Sequence, residues 1–133
     1  MATTTATLTL SSGDLTSDSL ALSSTATLTG HASSTGLNFT TGVNRITFDS
    51  VTTAFNLIAA ADYTGPAKAH KVYIKNLSTS NSEFLNIEIG AGNVSLGRLY
   101  GGDWAFFPYD GTLDIDIDTS AAFSVEYMVI YEA

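Results

Sequence analysis

The chain has 133 residues, no cysteine and a net charge of −8 at pH 7. That length suits one domain able to bury a core without covalent staples, and the missing cysteine excludes disulfides and thiolate metal centres. The acidic balance opposes the phosphate neutralisation that non-specific nucleic-acid binding needs, so no nucleic-acid partner is expected.

The N-terminal segment MATTTATLTLSS has neither the basic start nor the apolar run of a signal peptide, and no later stretch reaches membrane-spanning length. No membrane partner and no cleaved export signal are therefore expected. Residues 1–36 hold 18 serines and threonines, and leucine is their only bulky apolar type apart from Met1. TATLT occurs at Thr5–Thr9 and again at Thr25–Thr29. Ala6, Leu8 and Leu10 alternate with threonines, and Leu20, Leu22, Ala26 and Leu28 continue the two-residue period. Threonine, branched at Cβ, favours extended backbone. The pattern reads as thin strands turning at Ser11–Asp14 and near Ser23–Ser24, or else as a disordered Ser/Thr-rich tail. Residues 1–44 are accordingly taken as an extended N-terminal arm or thin sheet, and residues 45–133 as the main domain.

From Arg45 the strand signal strengthens. Candidates run over 45–52, 54–59, 70–77, 84–90, 94–100, 104–108, 113–118 and 123–132. Turn-forming residues bound several of them: TGPA at Thr64–Ala67, AGN at Ala91–Asn93, GGD at Gly101–Asp103 and YDG at Tyr109–Gly111. A helical turn is allowed only at Ala59–Tyr63. The fold class expected is all-β, an antiparallel β-sandwich. In the last strand Phe123, Val125, Tyr127, Val129 and Tyr131 share a core face. Met128 and Ile130 lie on the other face, which suits contact with a second sheet or subunit.

LDIDIDT places Asp114, Asp116 and Asp118 on one side of a strand, with Leu113, Ile115 and Ile117 on the other. An Asp-x-Asp-x-Asp calcium loop would need glycine at 119 and glutamate at 125, where Thr119 and Val125 stand. The aspartates therefore read as a solvated or interfacial strand face, with a cation site as the minor alternative. No cofactor is expected. Lys71, Tyr73 and Lys75 share a face of the strand that begins at His70. They could meet the aspartates across a sheet or between copies of the protein.

Catalytic groups are scarce. His31 and His70 have no nucleophile setting, no carboxylate pair stands out, and GAGNVSLG (Gly90–Gly97) reads as a hairpin turn rather than a phosphate cradle. A non-enzymatic protein is expected. Trp104, Phe106 and Tyr109 could stack on sugar rings if exposed, or fill the core if buried. Asn-x-Ser/Thr triplets at Asn38, Asn76 and Asn93 are what so Ser/Thr-rich a chain yields by chance.

The order HKVYIKNLSTSNSEFLNIEIG, LGRLYGGDWAFFPYDG and FSVEYMVIYEA resembles small β-sandwich virion proteins of tailed bacteriophages, over roughly residues 68–133. The resemblance implies a jelly-roll-like structural protein of the virion: a capsid decoration (cement) protein, or a neck or tail component. It implies self-association, taken as a trimer, and capsid or other virion proteins as partners. It carries over no functional residue. Two rivals stand beside it: a carbohydrate-binding or host-recognition module, and a calcium-stabilised adhesion module.

Overall fold

The computed structural model describes residues 4–30, 36, 37, 39–63 and 70–132. His31, Asn38, Lys68 and the turn expected at Thr64–Ala67 lie outside the described residues. Apart from a 3₁₀ turn at Ala60–Asp62, inside the one stretch where a helical turn was expected, every regular element described is a strand. The protein is all-β.

Strands β1 (Thr4–Ser12) and β2 (Leu20–Leu28) form a two-stranded antiparallel hairpin, in register from Thr4↔Leu28 to Ser12↔Leu20. The turn expected near Ser23–Ser24 does not occur: both serines sit inside β2, opposite Thr9 and Leu8. The chain reverses instead between Ser12 and Leu20, where Gly13, Asp14, Ser17 and Asp18 gather and the Ser12 hydroxyl accepts from the Leu15 amide at 3.1 Å. Two strands alone are marginally stable in water. This hairpin is tied down at its base, where the Thr4 hydroxyl donates to the Leu37 carbonyl and the Leu37 amide donates to the Leu28 carbonyl.

The body comprises β3 (Phe39–Thr40), β4 (Asn44–Thr47), β5 (Thr52–Ile58), β6 (His70–Asn76), β7 (Phe84–Ile89), β8 (Val94–Tyr100), β9 (Trp104–Tyr109), β10 (Ile115–Thr119) and β11 (Ser124–Tyr131). Body strands thus begin before residue 45. The stretch 45–52, expected as one strand, is split by exposed Asp49 and Ser50, both good turn formers. One sheet has the order β5-β10-β7-β8; the other runs β9-β6-β11, with β3 and β4 both paired to β11. The antiparallel pairs nest: β7 with β8, β6 with β9, β5 with β10, β4 with β11. The path is that of one long hairpin folded over itself.

Alternation supplies the core. Val72 and Ile74 of β6, Leu85 and Ile87 of β7, Ile115 and Ile117 of β10, and Val125 and Val129 of β11 are all buried in one cluster fed by both sheets. Two antiparallel sheets sharing a core is consistent with a β-sandwich. Leu113 does not join Ile115 and Ile117: it precedes β10 and is 46 % exposed.

One end of the body is pinned by Asn76, which is fully buried. Its Nδ2 donates to the carbonyls of Leu99 (2.9 Å) and Glu83 (3.3 Å), and its Oδ1 accepts from the Ser78 amide (2.9 Å). Its backbone amide donates to the Asp103 carbonyl, and its carbonyl accepts from the Gly102 amide. One side chain therefore joins the end of β6 to the loop before β7 and to the end of β8. Gly101 lies in the same turn, and a Cβ there would fall 2.2 Å from the Ser80 carbonyl oxygen, so only glycine fits. Asn76→Ala strands three part-buried backbone groups, each costing about 1 kcal/mol or more. It should lower stability in urea titration by about 3 kcal/mol or more. A loss under about 1 kcal/mol would mean that Asn76 is not the tie.

Candidate functional site

The aspartates lie on the outer side of the β5-β10-β7-β8 sheet, and their use is structural. Strand β5 slips out of register with β10 twice, between Ile115 and Asp116 and between Ile117 and Thr119. The extra residues of such bulges leave amides without a ladder partner. Side chains of β10 and the residue before it take one such amide, at Ala54, and two more at the start of β5 and just past its end. Asp118 Oδ1 accepts from the Ala54 amide at 2.7 Å, Asp114 Oδ1 from Ala60 at 2.8 Å, and the Thr119 hydroxyl from Thr52 at 3.1 Å. Ala54 sits at the second slip with φ of 48°, a left-handed conformation that costs a residue with a Cβ. The Asp118 bond helps hold it there.

Asp116, between them, has no such role. Its Oδ1 is buried and unbonded, and burial, then Asp114 and Asp118, raise its pKa above the usual aspartate range. Opposite it in the register stands Glu88 of β7, 8 % exposed although on an outer sheet face. Burial first, then the Asp118 charge beside it, raises the Glu88 pKa as well. Asn86 donates to Glu88 Oε1 at 3.3 Å, while Oε2 has no partner as an ionised group. Among the described residues no three side chains of the histidine, cysteine or acidic kind are placed to hold a metal ion.

The outer face of the other sheet differs. Across β11, β6 and β9 run the rows Glu126–Lys75–Trp104, Met128–Tyr73–Phe106 and Ile130–Lys71–Pro108. The two groups expected to meet, the lysines and the aspartates, lie in different sheets, so they do not pair across a sheet. Glu126 is instead fully engaged: it accepts from Arg45 Nε at 2.8 Å and from the Tyr73 hydroxyl at 3.0 Å, which holds its carboxyl below the usual range. Arg45–Glu126 is the one ion pair among the described residues, so neither Lys71 nor Lys75 is in one. Trp104 is 51 % exposed and Phe106 38 %, whereas Met128 and Ile130 are half-buried. Between this face and the β1–β2 hairpin lies an open groove of about 770 Å³. Lys71, Tyr73, Lys75, Trp104 and Phe106 are on its floor, and Ala6, Leu8, Ser24 and Ala26 are on its roof.

Tyr109 is not on that surface. It is 7 % exposed and faces the interior, where its ring packs against Tyr63 and His70. Its hydroxyl donates to the Leu113 carbonyl, and burial, followed by the Asp114 charge, pushes its pKa up to about 12. His70 is itself 1 % exposed beneath Tyr63, Tyr109 and Tyr131. Alternation puts Tyr109 on the opposite side of β9 from Trp104, Phe106 and Pro108, and that parity separates core from groove.

No family model, curated protein or solved structure matches the chain.

Sequence reasoning missed Glu88, Asn86, Glu126 and Arg45. The alternation of FLNIEIG already puts Asn86 and Glu88 on an outer face; what it lacks is the pairing of β7 with β10. The same holds for the hairpin residues of the groove roof, whose partner strands lie some 70 residues further along the chain.

Two outcomes follow from the carboxylates. A folded-state pKa raised above the unfolded value stabilises fully at acid pH, and that stability is lost as pH rises through the folded pKa. Glu88→Gln should therefore raise Tm at pH 7, and the gain should vanish below the ordinary glutamate range. A variant less stable than the parent at pH 7 would mean that Glu88 is held as an ion by a partner. Calcium at millimolar concentration and EDTA should both leave the parent Tm unmoved; a calcium-dependent rise would restore the cation reading.

Proposed function

We propose that the chain is a non-enzymatic structural protein of a phage virion, a capsid decoration protein that oligomerises and bridges neighbouring shell subunits. The nested strand pairs carry this reading. A four-stranded and a five-stranded sheet wound from one folded-over hairpin support a jelly roll, an architecture that recurs in viral capsid proteins and lectins. Fold alone does not assign function, but the surface points the same way. The hairpin extends a row of leucines, with Leu8 40 %, Leu10 46 % and Leu22 45 % exposed, on the face that carries Ala6 and Ala26. It serves as the N-terminal arm that lies on a shell or on a neighbouring copy, and a trimer is the assembly we favour. Many weak contacts on a repeating lattice add up through avidity.

A second reading is favoured by one observation: Trp104 and Phe106 stand exposed beside each other in a groove, as a sugar-stacking platform would. A carbohydrate-binding or host-recognition role on a tail or appendage would use that groove.

Sedimentation velocity tests the leading reading. The parent chain should sediment as an oligomer and co-sediment with capsids of the phage that encodes it. Leu10→Asp with Leu22→Asp, at positions exposed enough to leave folding intact, should yield a folded monomer that no longer binds. A parent chain that stays monomeric and leaves capsids bare would refute the proposal.

A further inference from the structure

We infer that the groove between the β1–β2 hairpin and the outer face of β6 and β9 binds an anionic saccharide, with its carboxylates on Lys71 and Lys75 and its rings on Trp104 and Phe106. The inference deepens the glycan reading, and rests on it only in placing the ligand at the two aromatic rings.

Charge comes first. The chain has five lysines and arginines against 13 acidic residues. Of the basic residues described, Arg45 is committed to Glu126, and Arg98 lies over the Phe84 ring at 4.0 Å. Lys71 and Lys75 remain, four residues apart on one face of one strand and therefore about 13 Å apart along it, and both are half-buried in the groove. The nearest carboxylate, Glu126, already accepts from Arg45 and Tyr73. Two lysines gathered in one cleft of a protein of net charge −8 select an anionic occupant.

Shape and chemistry narrow the class. Lys75 stands opposite Trp104 and Tyr73 opposite Phe106, so each of these two rings has a polar or charged group beside it at cross-strand distance. An acidic pyranose presents apolar C–H faces for rings and a carboxylate at its edge, and it meets both. The roof is mainly methyl and methylene, from Ala6, Ala26 and Leu8, with the Ser24 hydroxyl as its polar contact. An acidic peptide strand fits less well. The floor is a sheet face, and a peptide lying across it would find few backbone partners there, since β6 spends its own on β9 and β11. A sugar chain carries no such backbone. Single-stranded nucleic acid could also stack on the rings, but its unbroken row of phosphates needs more cations than the two lysines of the groove supply.

Trp104 is the chain's one tryptophan, so its emission reports on this groove alone. The full chain is titrated with tetragalacturonate, with neutral maltotetraose, with a decameric poly-glutamate peptide and with an oligothymidylate. Tetragalacturonate should shift the emission saturably, and added salt should weaken its binding. Maltotetraose should bind at least about tenfold more weakly, as should tetragalacturonate to Lys71→Gln with Lys75→Gln; that is the loss expected for one charge-assisted hydrogen bond. Phe106→Ala should weaken binding without moving the melting temperature of this half-exposed site. Equal binding of the neutral sugar would overturn the anionic assignment and leave the glycan reading standing. Preference for the peptide or the oligonucleotide would overturn the saccharide class. No response to any of the four would overturn both the inference and the glycan reading.

Discussion

The fold depends on how β5 is held. This strand closes one edge of its sheet and sends Leu57 and Ile58 into the core, yet it carries more residues than β10 can pair. An unpaired backbone amide away from water costs as much as a lost hydrogen bond. Thr119, Asp118 and Asp114 remove that cost by accepting from Thr52, Ala54 and Ala60. The acidic run is thus a brace, in which Asp118 takes an amide left over at the second slip and Asp114 takes the amide just past the end of β5. Asp116 and Glu88, crowded between and beside the braces, are the stability that arrangement gives up.

That division of labour separates the two outer faces. On the aspartate face the polar groups are turned to each other and to the chain's own backbone. On the lysine face the arrangement is the reverse: Glu126 is satisfied by Arg45 and Tyr73, while Lys71, Lys75, Trp104 and Phe106 are left open beneath the hairpin. This asymmetry is what supports the proposed binding or assembly role of that face and its hairpin. The hairpin has two sides for the same reason. Threonines pair on one side, with Thr7 and Thr25 bonded at 2.8 Å, and the leucines and alanines share the other.

Much of this was legible in the sequence. Period-two alternation located β6, β7 and β11 and their core faces, because one-sided burial imposes that period wherever a sheet covers a core. It also put Asp116 and Asp118 on an outer face. What it could not supply was partners. Whether a carboxylate meets water, a cation or an amide depends on which strand lies alongside, and β5 reaches β10 across some sixty residues of chain. The bulges that free the amides leave no local mark, since Ala54 is an ordinary residue in an unusual conformation. Parity lapsed at one strand end, since Leu113 falls just outside β10, but it held in β9, where Tyr109 belongs to the core and Trp104 and Phe106 lie on the opposite side. Serine and threonine, which suit both strands and turns, concealed that β2 runs unbroken through Ser23 and Ser24.

Site-resolved amide hydrogen exchange in Asp118→Ala and Asp114→Ala tests the brace most directly. The account predicts that the first variant deprotects Ala54 and leaves Ala60 protected, and that the second does the reverse. Unchanged protection of β5 in both variants would contradict it and return the aspartates to the role of a free binding face.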